Sequence, residues 1–208
     1  MQKISNLKDN NDVTVVLMAG GQSRRFGSNK ALTLWEDKPL IEHILKKIEG
    51  VTSKVVLSVA KSGDYEWLKV EKIADIIPGI GPMGGLLSCF EKLQSQYLML
   101  VACDMPLLNQ TLLKFMLHYK CKEPILIPKA GKRMHPLHAR YNKDLLPILK
   151  RLISEKRYKM AELFKEVPIK TITQKDVPSI NLELCLSNIN TPHDFETIRK
   201  SVNKNPDE

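Results

Sequence analysis

The sequence predicts an α/β protein, with one domain in which helices cover both faces of a mostly parallel sheet. Three observations support this fold class. Helix-like segments alternate with short apolar runs, the 208 residues suffice for one substantial core, and 43% hydrophobic with 26% charged residues is typical of globular chains. The apolar runs have the length of buried strands and cover residues 13–18, 54–60, 97–102, 124–128 and 167–173.

Helical segments fill the intervals between these runs. The first, PLIEHILKKIEG, has Pro39 at its first helical position and Gly50 just beyond its last turn. The following segments are GGLLSCFEKLQ, NQTLLKFMLHYK with Asn109 as N-cap, and NKDLLPILKRLISEKR, and a last helix opens at Thr191 or Pro192. We expect the domain to cover residues 13–202, between flexible ends at 1–12 and 203–208.

The composition argues against several classes of protein. No apolar run approaches the ~20 residues of a membrane-spanning helix, and the first dozen residues lack the apolar segment of a secretion signal. The cysteines never fall as CxxC, so we expect reduced, mostly buried thiols rather than zinc ligands or disulfides, at Cys89, Cys103, Cys121 and Cys185. These features predict a cytoplasmic protein without a membrane partner.

The net charge of +9 is concentrated in one stretch. Residues 114–175 carry 16 basic and 5 acidic groups, whereas residues 1–113 carry 13 and 12 and residues 176–208 carry 3 and 6. The stretch contains no RNA-binding aromatic motif, zinc finger or heptad, so no nucleic-acid partner is expected. An anionic small substrate, or a solvated surface without a partner, remains open.

The loop after the first apolar run, MAGGQSRRFGSNKA, has the composition of a phosphate-binding loop. In parallel sheets, ligands bind beyond the carboxyl ends of the strands, near the point where the strand order reverses. Gly20 and Gly21 allow a tight turn that brings backbone N–H groups close to a ligand, and Arg25 and Lys30 add two cations. The loop is not a Walker loop, because SNK follows Gly27 where that motif requires GK[ST].

A second junction, YLMLVACDMP, places Asp104 just beyond an apolar run, and Pro106 stops the strand. A carboxylate facing substrate phosphates suits Mg²⁺, so Asp104 is the metal candidate. The alternative role is that of a turn or N-cap residue for the helix near residue 109.

The third junction, ADIIPGIGPMGGL, satisfies the dinucleotide pattern GxGxxG. Pro78 precedes the glycines where a central strand would have to lead into them, which argues against a Rossmann dehydrogenase. We instead expect this loop to hold the other side of a nucleotide, with Asp75 accepting hydrogen bonds from base or ribose.

Two polar motifs follow in the second half of the chain. In KRMHPLHARY, Pro136 argues against a helical metal pair of His135 and His138 and places them on different faces of an extended segment. In LSNINTPHDFE, alternation puts Asn188 and Asn190 on one side of an extended stretch. The sequence contains no arrangement of nucleophile and base for covalent catalysis.

Taken together, these motifs resemble a known enzyme family. The first loop resembles the nucleotidyltransferase signature GGxSxRxGxxK, and PGIGPMGGL, ACDMP, HPLHARY and NINTPHDF are similar in order and spacing to molybdenum cofactor guanylyltransferase, the MobA family. The resemblance implies a three-layer α/β/α sandwich with a Rossmann-like nucleotidyltransferase fold. It also implies transfer of GMP from GTP to the phosphate of molybdopterin, with Mg²⁺ as cofactor and pyrophosphate as product.

The resemblance also implies site residues. Met18, Ala19 and Gly20 would contact GTP, Lys30 its phosphates and Asp75 the nucleoside. Asp104 would bind Mg²⁺ and nucleotide, Arg25 would act with Lys30 on the leaving pyrophosphate, and His135, Asn188 and Asn190 would lie on the pterin side. Met18 stands in place of the family's usual leucine and Ser58 in place of a nucleotide-contacting asparagine, which leaves one base contact open.

Two other functions remain compatible with the sequence. A related nucleotidyltransferase, including one that transfers CMP to molybdopterin or another phosphate acceptor, would share the first loop and Asp104. A non-catalytic module that binds nucleotide or nucleic acid would account for the basic stretch. Proteins that deliver the pterin or receive the product are further possible partners of that stretch.

Overall fold

The sheet at the centre of the molecule is mixed but mostly parallel. The computed structural model describes residues 12–20, 30–189 and 191–204, which form an eight-stranded sheet and a separate two-stranded hairpin. The sheet strands are β1 (Val13–Met18), β4 (Val55–Val59), β5 (Glu71–Ala74), β6 (Tyr97–Ala102), β7 (Ile125–Ala130), β8 (Arg133–Met134), β9 (His138–Asn142) and β10 (Ile169–Ile172). The hairpin consists of β2 (Leu34–Trp35) and β3 (Lys38–Pro39).

Strand β1 lies in the middle of the sheet, and every one of its residues is buried. The order of the strands is β10-β7-β9-β6-β1-β4-β5, with β8 paired to β7. The chain moves from β1 outward to β4 and β5, then crosses back to place β6 on the other side of β1, and both neighbours are parallel to β1. The order of the strands therefore reverses between β1 and β6, where a ligand site is expected.

Strand β9 is antiparallel to both of its neighbours, β6 and β7. As a consequence, β7 runs in the same direction as β6 and β1, and β10 pairs parallel with β7. The carboxyl ends of β1, β4, β6 and β7 thus share one edge of the sheet.

Helices cover both faces of the sheet, each over its own apolar core. One face carries α1 (Leu40–Glu49), α3 (Gln110–His118), α6 (Leu182–Cys185) and α7 (Pro192–Lys204). The other carries α2 (Pro82–Lys92), α4 (Leu146–Ser154) and α5 (Met160–Glu166). The three-layer α/β/α architecture predicted from the sequence is confirmed. Within the described ranges, the helices are too short or too polar to cross a bilayer.

Three of the predicted helix starts, those of α1, α3 and α7, agree with the structure to within a residue, whereas α2 begins two residues before the predicted segment and α4 four residues after the start of its segment. Pro39 is the N-cap of α1 rather than its first residue. Asn109 caps α3, since its Oδ1 accepts a hydrogen bond from the N–H of Leu112 at 2.9 Å. Thr191 and Asp194 form a reciprocal capping pair at the start of α7, in which each side chain accepts a hydrogen bond from the backbone N–H of the other.

The cysteines form no disulfide at the positions that the structure describes. Cys89 and Cys185 are buried, as the sequence predicts, whereas Cys103 and Cys121 are half-buried.

Candidate active site

The first glycine loop leaves β1 in close contact with the end of β4. Met18 and Ala19 are buried, and the N–H of Ala19 donates to the carbonyl of Ser58 at 2.9 Å. A Cβ on Gly20 would lie 3.2 Å from the backbone nitrogen of Ala60 and 3.3 Å from the carbonyl carbon of Val59. These neighbours are main-chain atoms with little freedom to shift, so this approach of two chain segments favours glycine.

A cleft opens at this edge of the sheet, over the reversal point between β1 and β6. The first loop, the start of α2 and the residues that follow β6 all contribute to its walls. Its lining comprises Met18, Ala19, Gly20, Lys30, Ser58, Asp75, Gly81, Pro82, Gly85, Ala102, Cys103, Asp104 and Leu137.

Asp104 stands two residues beyond β6 and joins three parts of the chain. Its Oδ2 lies 3.9 Å from the ammonium of Lys30, and its Oδ1 accepts a hydrogen bond of 2.7 Å from the side-chain amide of Asn188. Its carbonyl accepts from the N–H of Ile189 at 2.9 Å. Because Asn109 caps α3, Asp104 is not the N-cap of that helix, but it does lie in the turn that follows β6, as the alternative expects.

Burial raises the pKa of Asp104, and the hydrogen bond from Asn188 opposes that effect. The positive charges of Lys30 and Arg133 also lower it. The Asp104 carboxylate is therefore held by neighbours that favour its ionised form, at a position where burial disfavours it.

Asp75 faces the same cleft from the end of β5. Its Oδ1 is buried and has no hydrogen-bond partner among the described residues, and burial raises its pKa to about 6. Gly85 of α2 packs against this group, since a Cβ there would lie 2.6 Å from Ser58 Oγ, 2.7 Å from Met18 Cε and 3.6 Å from Asp75 Oδ1. An unsatisfied buried acceptor that lines a cleft is suited to a donor on a ligand.

The segment that contains His135 and His138 is a tight turn, which corrects the expectation of an extended segment. The N–H of His138 donates to the carbonyl of His135 at 2.9 Å, because Pro136 and Leu137 occupy the two central positions of the turn. His138 is fully buried, and burial lowers its pKa to about 3. Burial also lowers the pKa of His135 to about 4.

The structure brings most of the sequence-predicted site residues into this one cleft. Met18, Ala19, Gly20, Lys30, Asp75 and Asp104 line it, and Asn188 contacts Asp104. His135 is buried next to the cleft, with Leu137 of the same turn in the lining, so its pterin-side role stays a prediction. Arg25 and Asn190 lie outside the described residues, as do Gly21 and Gly27 of the motif.

Sequence reasoning missed the packing role of Gly85 and the position of Arg133. The sequence contains a signal for the role of Gly85, which is the second glycine of PMGGL, since a glycine inside a helix indicates a close approach of another chain segment. Arg133 belongs to the basic stretch, but its place beside the cleft depends on strand pairing that the sequence does not predict.

The chemistry of the cleft suits a metal ion shared with a substrate. The described residues contain no cluster of three or more His, Cys, Asp or Glu that could hold an ion alone. Mg²⁺ is commonly held by one or two carboxylates together with water and substrate phosphates. The carboxylate of Asp104, opposite Lys30, fits this arrangement.

Comparisons with known proteins agree with this geometry. Residues 15–170 match the family described as the MobA-like NTP transferase domain. A probable molybdenum cofactor guanylyltransferase of Flavobacterium johnsoniae is 30% identical over 187 residues, which cover 89% of this chain and 96% of that protein. A protein of the same description from Clostridium perfringens is 31% identical over 197 residues, covering 90% of this chain and 96% of the relative.

A solved structure has the same fold. The molybdopterin-guanine dinucleotide biosynthesis protein A of Archaeoglobus fulgidus superposes with a TM-score of 0.80 at 24% identity, over 92% of this chain and 99% of that one. The family match runs from within β1 to the start of β10, and thus covers nearly all of the sheet whose carboxyl edge carries the cleft. This chain is a nucleotidyltransferase that belongs to the MobA-like NTP transferase family.

Proposed function

We propose that this protein transfers GMP from GTP to the phosphate of molybdopterin and releases pyrophosphate. The proposal rests on one observation above all: Gly20, Lys30, Asp75 and Asp104 line a single cleft at the point where the sheet order reverses. The names of the relatives support guanine as the base and molybdopterin as the acceptor.

The two walls of the cleft bind different parts of the nucleotide. On one wall, we assign the phosphates to the backbone of Gly20, which lines the cleft and carries no side chain, and to the positive charge of Lys30. On the other wall, the unsatisfied Oδ1 of Asp75 accepts a hydrogen bond from the nucleoside. Base and triphosphate are thereby fixed before the acceptor arrives, which lowers the entropic cost of the reaction.

Asp104, together with the nucleotide phosphates, would hold Mg²⁺. Its carboxylate has acceptor capacity beyond the hydrogen bond from Asn188, and it stands next to the cation that faces the phosphates. The bound ion would neutralise phosphate charge and polarise the α-phosphate.

Lys30 and, by the motif, Arg25 stabilise the charge that develops on the leaving pyrophosphate. The acceptor phosphate is already an anion at neutral pH, so its attack on the α-phosphate requires no general base. This accounts for the absence of a histidine, and of a nucleophile paired with a base, among the described residues that line the cleft. Asn188 holds the Asp104 carboxylate in position through the 2.7 Å hydrogen bond.

The test is a transfer assay with purified protein, molybdopterin, Mg²⁺ and labelled GTP. We expect one pyrophosphate and one molybdopterin guanine dinucleotide per GTP consumed, with CTP and ATP at least about tenfold poorer. Preferred use of CTP, or of a different phosphate acceptor, would assign another nucleotidyl transfer to the cleft.

Substitution of Asp104 separates catalysis from nucleotide binding. Asp104→Asn should lower kcat by about 10²-fold or more, since the Mg²⁺ ligand and its charge are lost. Asp37→Asn is the matched control, because Asp37 is an exposed acid in the β2–β3 turn at φ 62°, a conformation that asparagine tolerates. Unchanged turnover in Asp104→Asn would remove this carboxylate from the mechanism.

A further inference from the structure

The hairpin formed by β7 and β8 is strongly basic. Ala130 pairs with Arg133 and Lys129 with Met134, and Gly131 makes the turn at φ +56°. Lys129, Lys132 and Arg133 are all exposed. We call residues 129–134 the basic hairpin.

The basic hairpin lies at the edge of the sheet that carries the cleft. Strand β7 runs parallel to β6 and β1, so its carboxyl end shares an edge with Gly20 and Asp104. After β8 the chain stays beside β7, because the N–H of His135 donates a 3.1 Å hydrogen bond to the carbonyl of Pro128. Two residues further on, Leu137 lines the cleft.

Arg133 acts electrostatically on two groups at the cleft. Burial is the main influence on both, raising the pKa of Asp104 and lowering that of His135, and the positive charge of Arg133 lowers both pKa values. Its guanidinium therefore lies within electrostatic reach of the Asp104 carboxylate.

The cations of the basic hairpin are not neutralised by the protein. Within the described part of the chain, Lys129, Lys132 and Arg133 make no ion pair and no side-chain hydrogen bond. Other arginines of the basic stretch are engaged: Arg140 binds carbonyls of α3, and Arg151 and Arg157 pair with Glu155, Glu162 and Glu166. An arginine without an acidic partner, beside a phosphate-binding cleft, is suited to a further anion.

The order of the strands places this arginine opposite the triphosphate cations. The loop with Lys30 follows β1 on one side of β6, whereas the basic hairpin follows β7 on the other side, beyond β9. Asp104, which follows β6, lies between them. Two anionic reactants must meet there, so a cation on the far side would offset the repulsion between acceptor and nucleotide.

We propose that Arg133 binds the phosphate of the acceptor and holds it beside Asp104, on the side away from Lys30. The inference rests on the proposed function, because it assigns the acceptor half of the same cleft. A guanidinium can donate two parallel hydrogen bonds to a phosphate and thereby orient it for attack, which an ammonium does less well.

The experiment compares Arg133→Gln, Arg133→Lys and Lys132→Gln. Lys132 is the matched control, since it lies one residue away on the same exposed turn. We expect Arg133→Gln to raise the KM for molybdopterin about 10- to 100-fold, while the KM for GTP and the thermal stabilisation by GTP with Mg²⁺ change less than about twofold. Arg133→Lys should fall between wild type and Arg133→Gln, and Lys132→Gln should stay within about twofold of wild type.

Direct binding of molybdopterin, followed by its pterin fluorescence without GTP, gives the same comparison in the absence of turnover. An unchanged acceptor KM and affinity in Arg133→Gln would overturn the assignment, and so would an equal effect of Lys132→Gln, which would indicate general attraction by the basic surface. If the wild-type protein used another phosphate acceptor, the proposed function would fail, and the Arg133 comparison would be decided with that acceptor.

Discussion

At the scale of single residues, Asp75 combines burial, an unsatisfied oxygen and a raised pKa. Its pKa of about 6 means that the folded protein binds a proton at this carboxyl more tightly than the unfolded chain does. At neutral pH the ionised carboxylate therefore destabilises the fold. A ligand that donates to Oδ1 would offset this cost.

The first prediction concerns Asp75→Asn. We expect the variant to be more stable than wild type by ~1 kcal/mol at pH 7.5, after allowance for solvent screening of a partly exposed group, because the buried charge is removed. The gain should be complete above about pH 6, shrink as the pH falls from 6 to 3.8, and vanish below 3.8, where the wild-type carboxyl becomes neutral in both states. Urea unfolding across this pH range measures it.

Stabilisation by GTP should fall in the same variant, because the nucleoside loses a charged acceptor. A gain in stability that does not vary with pH would contradict a cause in the buried charge of Asp75, since a neutral packing effect would not titrate.

The second prediction concerns Gly85. Its substitution by alanine would push a Cβ against Ser58 Oγ and Met18 Cε, which are both ends of side chains that can move. We expect Gly85→Ala to fold but to bind GTP about tenfold more weakly, because Met18 is displaced into the cleft. Titration calorimetry measures the affinity. Met18→Leu/Gly85→Ala should recover part of it, since leucine lacks the terminal methyl group, and an unimproved double variant would count against this explanation.

The predictability of the site differed from residue to residue. Lys30, Asp75 and Asp104 could be found because each follows or flanks a recognisable junction in the sequence. The hydrogen bond from Asn188 to Asp104 spans 84 positions, and no local pattern encodes a contact of that separation. Arg133 was hidden for the same reason, as its neighbours in space come from other strands.

At the scale of elements, buried parallel strands were easier to predict than the rest. The limits of β1 and β6 agree with the apolar runs, because strands covered on both faces consist of uninterrupted hydrophobic residues. Strand β9 was not predicted, since its sequence HARYN contains polar groups that tertiary contacts satisfy. Strand β5 is short and partly exposed, and α5 and α6 have seven and four residues, so their patterns are weak.

Arg140 shows how β9 is stabilised in a buried position. Its guanidinium donates to the carbonyls of Met116 and Leu117 at 3.1 and 3.3 Å, and lies 4.9 Å from the ring centre of Tyr97. These carbonyls belong to the last turn of α3, which ends at His118. A cation near a helix C-terminus satisfies acceptors that the helix leaves open.

The third prediction concerns Arg140, which links β9 to α3. Arg140→Leu should lower the free energy of unfolding by about 2–4 kcal/mol, because buried carbonyls lose their donor. Arg140→Lys should restore part of the loss. Chemical denaturation measures both. The exposed Arg151 is the control, and Arg151→Met should leave the midpoint nearly unchanged, although Arg151 pairs with Glu155 and Glu166. Equal losses at the two arginines would refute the role of Arg140.

At the scale of the whole molecule, a buried histidine links stability to acid. Both ring nitrogens of His138 are buried without a hydrogen-bond partner in the described chain, and burial lowers its pKa to about 3. The unfolded chain therefore binds a proton at His138 below about pH 6.5, whereas the folded protein binds it only near pH 3. The stability that this histidine contributes is present above pH 6.5 and is lost as the pH falls towards 3.

The fourth prediction is that His138→Leu removes this dependence. Wild-type stability should fall by about 1.4 kcal/mol for each pH unit below 6.5 on account of this group. The variant loses no hydrogen bond, so at pH 7.5 it should be close to wild type, and at pH 5 it should be more stable. Urea midpoints of both proteins at the two pH values test this assignment. If stability fell equally with pH in wild type and variant, groups other than His138 would cause the loss.

The attachment of Asn188 and Ile189 to Asp104 has a consequence during synthesis. Asn188 and Ile189 follow every strand of the described sheet along the chain, so a nascent polypeptide can form that sheet while the Asp104 carboxylate still lacks its amide donor. The hydrogen bonding of Asp104 is therefore completed only after every strand of the described sheet has been synthesised.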